Sequence, residues 1–236
     1  MKKHSDVLRE TYPYKTELHS HTFPASACAT ASAEDSVMQH KANGYHTLVI
    51  TNHLLFDTVK NQKGLNSILD AHISDFKRAE KLGEELGIKV LMGYELRFPK
   101  SDNDYLFYGA DPEFLKGLDM ESIASLEAFC VVRGKDTLLI QAHPFRNMMT
   151  LAPRELIDGI ESFNMSPNMN SRVGIASAYA QDENLFSICG SDYHHTKSGT
   201  LTALRTKERI EDIHSLVKVL KSEDVAWQIG QAMLVF

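Results

Sequence analysis

The stretch Tyr14-Lys15-Thr16-Glu17-Leu18-His19-Ser20-His21-Thr22 decides how the rest of the chain is interpreted. Residues 14–18 form a short apolar run that predicts the first β-strand, and two histidines follow at its end. Because side chains alternate between the two faces of a strand, His19 and His21 project the same way and could reach one metal ion. A metal centre is therefore the first hypothesis, and a pair of hydrogen-bonded or solvated histidines is the ordinary alternative.

Four further stretches place potential ligands directly after an apolar run. They are Thr51-Asn52-His53, Gly93-Tyr94-Glu95, Ala142-His143-Pro144 and Gly190-Ser191-Asp192-Tyr193-His194. In folds with parallel strands, the carboxyl ends of the strands converge on one face, so residues far apart in sequence can meet there. This recurrence favours a shared metal site over isolated histidines.

Composition sets broad limits on fold and function. The 236 residues, 43% of them hydrophobic, are enough for one sizeable core, and we predict a single domain over residues 1–236. A net charge of −6 argues against a broad nucleic-acid surface but allows small phosphorylated substrates. The three cysteines have no CxxC spacing, so neither a disulfide framework nor a cysteine zinc site is predicted.

No segment predicts export or membrane insertion. The first ten residues lack the apolar core of a signal peptide, and no later segment is long and apolar enough to span a bilayer. We therefore expect a cytoplasmic protein with no membrane partner.

Apolar runs alternate with amphipathic stretches along the chain, which is typical of an α/β fold. The predicted strands are residues 14–18, 47–51, 89–96, 105–109, 137–142, 159–163 and 186–190, and the predicted helices are residues 33–43, 65–86 and 207–221. An open parallel sheet places its ligands mainly near one topological switch. Ligand-type residues from the first strand to the last favour a barrel instead.

Taken in order, the His-x-His-Thr, Thr-x-His, Glu, Ala-His-Pro and Gly-Ser-Asp-x-His motifs resemble those of the PHP family, the polymerase and histidinol phosphatase domain. The resemblance covers most of the chain. It implies a distorted seven-stranded (βα)7 TIM-like barrel and two or three divalent ions, commonly zinc, manganese or iron. It also implies phosphate-ester hydrolysis as the typical reaction.

The resemblance implies seven metal ligands, of which four would hold one ion: His19, His21, Glu95 and Asp192. Glu95 would bridge to a second ion that His143 also holds, and His53 and His194 would serve a third.

The sequence departs from the family pattern in three places. No histidine or aspartate occurs in residues 23–29, where many members carry a ligand, and no histidine lies between Glu95 and His143. Asn52 stands where the second motif usually has an aspartate. Cys28 or Asp104 could substitute as a ligand, so the expected number of ions stays at two or three.

The residue types themselves are consistent with this chemistry. Imidazole and carboxylate ligands suit zinc, manganese or ferrous iron, and such ions lower the pKa of bound water from 15.7 to roughly 7. Water would then be the nucleophile. We predict His194 as general acid if it is not a ligand, and Arg146 as a phosphate clamp. Arg97 and Lys197 are weaker clamp candidates. For all three basic residues the alternative is a solvated loop charge or an ion pair with a nearby carboxylate such as Asp102.

Other titratable residues have less specific interpretations. Glu161 lies in a segment resembling the Gly-Ile-Glu-x-x-Asn pattern of the family and could orient a ligand, bind substrate or be a hydrogen-bonded structural carboxylate. The remaining histidines are predicted to be structural or solvated: His4, His40, His46, His72, His195 and His214.

The leading functional hypothesis is a small-molecule phosphomonoesterase, with the histidinol phosphatase type as one form, acting on a small phosphorylated substrate. One alternative is a nuclease or phosphodiesterase for short nucleic acids, which the acidic charge disfavours. Another is a catalytically silent, metal-stabilised interaction domain. An amidohydrolase is a weaker rival, since that family usually needs a mid-barrel lysine ligand. The sequence does not indicate an oligomeric state.

Overall fold

The computed structural model describes residues 3–167, 169–199 and 201–235. Within these ranges the helices are α1 (His4–Thr11), α2 (Ala33–Ala42), α3 (Gln62–Leu86), α4 (Pro112–Lys116), α5 (Leu126–Val132), α6 (Val173–Asp182) and α7 (Ile213–Ser222). The strands are β1 (Tyr14–Glu17), β2 (Thr47–Ile50), β3 (His53–Leu55), β4 (Lys89–Met92), β5 (Tyr94–Arg97), β6 (Asp104–Tyr108), β7 (Leu138–Gln141), β8 (Gly159–Asn164), β9 (Phe186–Gly190), β10 (Thr202–Thr206), β11 (Ala226–Ile229) and β12 (Ala232–Leu234). None of these helices combines the length and apolarity needed to cross a membrane.

The described strands form two six-stranded mixed sheets. The first has the order β12-β11-β10-β1-β2-β4, in which β1, β2 and β4 are parallel and β10 to β12 pair antiparallel. The second has the order β3-β5-β6-β7-β8-β9, in which β6 is antiparallel to both neighbours. The α/β class predicted from the sequence is therefore confirmed.

The two sheets meet at the sequence motifs. Strand β3 follows β2 after Thr51 and Asn52, and β5 follows β4 after Gly93. An isolated parallel bridge between Ser20 and Tyr193 links the chain after β1 to the chain after β9. The carboxyl ends of β1, β2, β4 and β9 therefore lie close together, next to the motifs.

The predicted closed seven-stranded barrel is not confirmed. Residues 98–103 between β5 and β6 are too few for a crossover connection, which needs a dozen or more residues, so these strands must run antiparallel. A uniform parallel (βα) repeat is broken at that point.

Several predicted boundaries were wrong. The predicted strand at residues 89–96 is divided at Gly93, where an added Cβ would lie 3.1 Å from side-chain atoms of Tyr108 and Val49. The predicted helix at residues 207–221 begins only at Ile213, because Asp212 caps it by accepting a hydrogen bond from the backbone N of Ser215. Helix α1 and strands β10 to β12 were not predicted.

Helix α3 carries a clear start and stop signal. The Asn61 side chain accepts a hydrogen bond from the backbone N of Gly64 at 2.9 Å, and Gly87 ends the helix with a φ of 70°. Leu65 and Leu69 are fully buried at helical spacing against the second sheet. The helix therefore forms where periodicity predicts it.

Aromatic side chains dominate the largest core cluster. Phe129 on α5 is fully buried, and its ring centroid lies 5.0 Å from Phe107, 5.5 Å from Phe98 and 6.4 Å from Phe56. Such contacts add to the hydrophobic stabilisation of the second sheet.

We expect Phe129→Ala to lower the free energy of unfolding by about 3–5 kcal/mol, since it leaves a large cavity among these rings. Urea unfolding followed by circular dichroism measures the change. Val131→Ala on the same helix is the matched control, because Val131 is 85% exposed. Alanine has a higher helix propensity than either phenylalanine or valine, so propensity cannot cause a loss in either variant. A loss in Phe129→Ala no larger than that in Val131→Ala would contradict the packing role of Phe129.

Candidate metal centre

The structure brings together all seven residues that the family resemblance implies as metal ligands. We call this set the metal cluster: His19, His21, His53, Glu95, His143, Asp192 and His194. They come from the chain after β1, the start of β3, strand β5, and the chain after β7 and β9. Most are completely buried, whereas His53 and His194 are partly accessible.

One group matches the four residues implied for the first ion. His19 Nε2 and His21 Nε2 lie 3.4 and 3.3 Å from Asp192 Oδ1. The same two nitrogens lie 3.3 Å from Glu95 Oε1 and 3.2 Å from Glu95 Oε2, respectively. Two imidazoles and two carboxylates therefore surround one small volume.

Glu95 joins this group to the remaining histidines. Its Oε1 lies 3.1 Å from His143 Nε2, and its Oε2 lies 2.9 Å from His53 Nδ1. Ligand atoms of His21, His53 and His194 also lie within 4.8 Å of one another. The carboxylate of Glu95 is thus placed where a bridge between ions would have to be.

His19 and His21 each have a partner at Nδ1, while their Nε2 atoms face the cluster. His19 Nδ1 lies 2.9 Å from Glu161 Oε1, and because an ionised carboxylate only accepts, Nδ1 carries the proton. His21 Nδ1 lies 3.3 Å from Ser26 Oγ. Glu161, one of whose predicted roles was to orient a ligand, contacts His19 in that way.

The donor set fits divalent cations. The Nε2 atoms of His19 and His21 face each other at 3.0 Å, an arrangement that needs a proton or a cation between two lone pairs. Glu95 Oε2 and His53 Nδ1 are buried and lie 2.9 Å apart without the alignment of a hydrogen bond, and buried His143 Nδ1 has no hydrogen-bond partner among the described residues. Orphaned polar atoms of this kind are costly unless something binds them.

The pKa shifts of two histidines show that the carboxylates of the cluster favour positive charge beside them. Burial lowers the pKa of His19, but the charges of Glu161, Asp192 and Glu95 outweigh it and raise that pKa well above its ordinary value. Burial likewise lowers the pKa of His53, and Glu95 raises it above the usual range. Bound divalent ions would supply the positive charge that these carboxylates favour.

The carboxylates respond in the opposite direction. Burial raises the pKa of Glu95, yet His53 and His19 bring it well below its usual range. Burial also raises the pKa of Asp192, but the neighbouring His19, His21 and Arg146 have a larger opposite effect. The pKa of Asp192 is therefore well below its ordinary value. Both groups therefore stay ionised and available as ligands at neutral pH.

Backbone geometry at two ligands is unusual. His143 has a φ of 31° and Asp192 a φ of 50°, values that few non-glycine residues adopt. At Gly190 an added Cβ would lie 2.2 Å from Glu161 Oε1, so no larger residue fits beside that carboxylate. Such strain concentrates at functional sites because surrounding contacts hold it in place.

The two proposed substitute ligands have different positions. Asp104 lies near His53 and Glu95, but it accepts two hydrogen bonds of 2.7 Å from Arg97. Cys28 is exposed and lines the same cavity as His53. Burial raises the pKa of its thiol, but His53, His21 and a backbone hydrogen bond together lower it below its ordinary value. In the described part of the chain, no group of three convergent ligand atoms includes Cys28.

The two arginines near the cluster already form hydrogen bonds with protein side chains. Arg146 donates to Asp192 Oδ2 at 2.5 Å and to Asn164 Oδ1 at 2.6 Å. Arg97 forms an ion pair with Asp104 and not with Asp102, the carboxylate suggested from the sequence. None of the described residues accepts a hydrogen bond from Arg146 Nη1, which leaves that donor for a ligand.

Two adjoining cavities give access to the cluster. The metal-site cavity, of about 450 Å³, is lined by cluster residues together with Cys28 and Arg97. The entrance cavity, of about 760 Å³, contains Lys197 and His195. Arg146, Asp192 and His194 line both cavities.

Sequence reasoning missed a buried carboxylate that holds two motifs together. Glu17 is completely buried and accepts hydrogen bonds from the backbone N of His19 at 3.0 Å and of Ser191 at 3.0 Å. It also accepts from Ser191 Oγ at 2.6 Å. A glutamate inside a predicted buried strand was the available signal, but its partner is 174 residues away.

A second missed residue fixes the loop after the first motif. Asp75 is buried on α3 and accepts hydrogen bonds from Thr22 Oγ1 at 2.9 Å and the backbone N of Ala25 at 3.2 Å. Asn52 accepts from the backbone N of Thr22 and from Ser26 Oγ, both at 2.8 Å. An acidic residue on the apolar face of a predicted helix was the signal for Asp75.

The other histidines stay outside the cluster. His40 and His72 are buried in α2 and α3, whereas His195 is exposed and its Nδ1 lies 2.8 Å from Thr30 Oγ1. His46 precedes β2 and accepts a hydrogen bond from the backbone N of Lys15. His4 and His214 lie in α1 and α7, away from the motifs.

His72 predicts a distinct pH dependence of stability. Burial lowers its pKa from 6.5 to about 4. Between these values the unfolded chain binds a proton that the folded chain does not, so stability falls as the pH falls. Between about pH 7 and about pH 5, the free energy of unfolding of the wild type should fall by roughly 2 kcal/mol more than that of His72→Gln.

Urea unfolding at both pH values, with a chelator present, measures this difference. The chelator keeps both proteins metal-free, so the cluster residues titrate alike in the two. Equal losses in wild type and variant would contradict the assignment to His72.

Comparison with known proteins agrees with the geometry. The PHP domain family profile matches residues 17–226. This chain belongs to the PHP family. The match includes every member of the metal cluster and most of both sheets. No curated protein sequence matches the chain.

Solved structures share the fold of this PHP chain. A two-domain protein from Bacteroides vulgatus, containing a predicted PHP-like metal-dependent phosphoesterase, has a TM-score of 0.65 and 17% identity over 93% of this chain and 66% of its own. PsfC from Pseudomonas syringae has a TM-score of 0.60 and 17% identity, covering 81% of each chain. A protein from Bifidobacterium adolescentis described as a metal-dependent phosphoesterase has a TM-score of 0.51 and 17% identity, covering 87% of this chain and 95% of its own. At these identities the likeness concerns the fold alone.

Proposed function

We propose that this PHP chain is a metal-dependent phosphomonoesterase that acts on small phosphorylated molecules. The observation that carries the proposal is the convergence of the seven metal-cluster residues on one buried volume that opens into a cavity of about 450 Å³. Cavities of a few hundred Å³ suit small ligands. The family supplies the general class of reaction, and the small phosphorylated substrate is our inference.

The metal cluster would hold two or three divalent ions. Glu95 would bridge, with His19, His21 and Asp192 on one side and His143 on the other, and His53 and His194 would serve a third ion. Mixed imidazole and carboxylate donors suit zinc, manganese or ferrous iron. When bound, such ions lower the pKa of water and neutralise charge on the phosphoryl oxygens.

The protein's own residues would bind and orient the phosphoryl group. Arg146 is held by Asp192 and Asn164 and lines the cavity, so its Nη1 group would be available to donate to a phosphate there. His194 lines both cavities, with Nδ1 2.9 Å from the backbone O of Asp192. If His194 is not a ligand, its imidazole would donate a proton to the departing alkoxide.

Assays of metal-reconstituted protein test the proposal against its alternatives. Protein loaded separately with zinc, manganese or ferrous iron is given phenyl phosphate, bis(p-nitrophenyl) phosphate and a single-stranded oligonucleotide. We expect hydrolysis of the monoester. Hydrolysis of the diester or the oligonucleotide alone would indicate a nuclease. Inactivity toward all three, while metal still raises the melting temperature, would indicate a silent metal-stabilised domain. Elemental analysis of protein purified without chelators gives the identity and number of the ions.

A further inference from the structure

A third cavity extends away from the metal centre and is mainly apolar. This apolar groove, of about 730 Å³, is lined by residues that include Met165, Pro167, Met169, Val173, Ile175 and Leu201. Its large side chains are unusually accessible: Met169 is 53% exposed, Ile175 54% and Leu201 42%. Adjacent exposed apolar side chains that form a concave surface are a feature of ligand-binding grooves.

The apolar groove is continuous with the path to the metal cluster. The entrance cavity shares Ser166, Pro167 and Met169 with the groove. The entrance cavity also shares Arg146, Asp192 and His194 with the metal-site cavity, and Met169 lines all three cavities. A molecule whose phosphate lies at the cluster would therefore extend through the entrance cavity into the groove.

The side chains of the groove itself indicate which part of a substrate fits there. Among the described residues that line the groove, none is acidic and Arg172 is the one charged side chain. Its guanidinium donates to the backbone O of Phe145 and to Asn147 Oδ1, so the protein already uses it. The groove thus offers mainly apolar surface, with a flexible methionine that can adapt to a ligand, beside the polar side chains of Asn164, Ser166, Asn170 and Ser171.

We propose that the apolar groove binds the alcohol portion of the substrate, which is an aromatic or branched aliphatic phosphate monoester. This inference rests on the proposed phosphomonoesterase function. Hydrolysis breaks the bond between phosphorus and the ester oxygen. Water supplies the new oxygen on phosphorus and a proton to the apolar alcohol, which leaves through the groove.

Matched substrates and variants test the proposal. Phenyl phosphate and 2-naphthyl phosphate have leaving groups of similar acidity but differ by one ring. Burial of that ring should raise kcat/KM by about tenfold in the wild type. The double variant Ile175→Ser, Leu201→Ser should lose most of this preference. Val131→Ser is the control, since Val131 is an exposed aliphatic residue on α5, 85% accessible, and lines none of the three cavities.

Calorimetry separates failure of the groove from failure of the enzymatic proposal. The non-hydrolysable 2-naphthylmethylphosphonate and methylphosphonate are titrated into metal-loaded protein. Tighter binding of the naphthyl compound, reduced in the double variant but not in Val131→Ser, supports the groove even if no ester is hydrolysed. Equal binding of both phosphonates, or a naphthyl preference that survives in a folded double variant, overturns the proposal.

Discussion

Glu95→Gln is expected to reduce both bound metal and kcat/KM for phenyl phosphate by more than about 100-fold. Loss of a residue that only orients a ligand already costs about 10–100-fold, and Glu95 directly contacts four histidines of the cluster. Glutamine has the same shape but lacks the charge, and its amide NH₂ group would face an imidazole nitrogen. Elemental analysis gives ions per chain, and steady-state kinetics gives turnover.

Glu85→Gln is the matched control for this change, because Glu85 lies exposed on α3 and loses the same charge. It should keep its metal and its activity. The circular dichroism spectrum of Glu95→Gln should match that of the wild type, because the substitution conserves volume. Full metal content and full turnover in a folded Glu95→Gln protein would falsify the assignment of Glu95 as a bridging ligand.

Asp192→Asn should have a loss of similar size, more than about 100-fold in metal affinity and in kcat/KM. Its Oδ1 contacts Nε2 of both His19 and His21, and its Oδ2 accepts a hydrogen bond from Arg146. Asparagine tolerates the positive φ of 50° at this position, so we expect the backbone to keep its conformation. The variant therefore removes a charge with little change in shape.

Two companion variants show what the Asp192→Asn result means. Asp182→Asn removes an exposed charge at the end of α6 and should leave metal content and kinetics unchanged. Arg146→Ala should keep most of the bound metal but raise KM, because it removes the proposed phosphate contact and retains every ligand. Retention of metal by Asp192→Asn, with kinetics like those of Arg146→Ala, would show that Asp192 acts only by holding the arginine.

The fold was predictable where periodicity and chain length act locally. Strand β9 has the predicted bounds, and α3 follows its apolar spacing and its stop at Gly87. The antiparallel direction of β6 was also open to prediction, because the connection before it is too short to cross over. Strands β10 to β12 were not predictable in this way. They are short and contain polar residues, and each depends on a neighbouring strand for its hydrogen bonds.

In the candidate site, too, local features were predictable from the sequence and long-range contacts were not. Strand alternation predicted that His19 and His21 point the same way, and their Nε2 atoms do face each other. The role of Glu17 was not predictable, because its hydrogen-bond donors at Ser191 belong to a distant strand end. Buried polar groups find partners across the fold, and sequence neighbours do not identify them.

The sequence by itself determined which ligand types this protein offers and that they follow successive strands, since alternation and strand ends are local properties of a chain. Only the tertiary structure decided that Arg97 pairs with Asp104, that Arg146 pairs with Asp192, and that an apolar groove adjoins the metal centre. Ion pairing and cavity shape depend on distances of a few ångströms between segments far apart in sequence, and packing alone sets those distances.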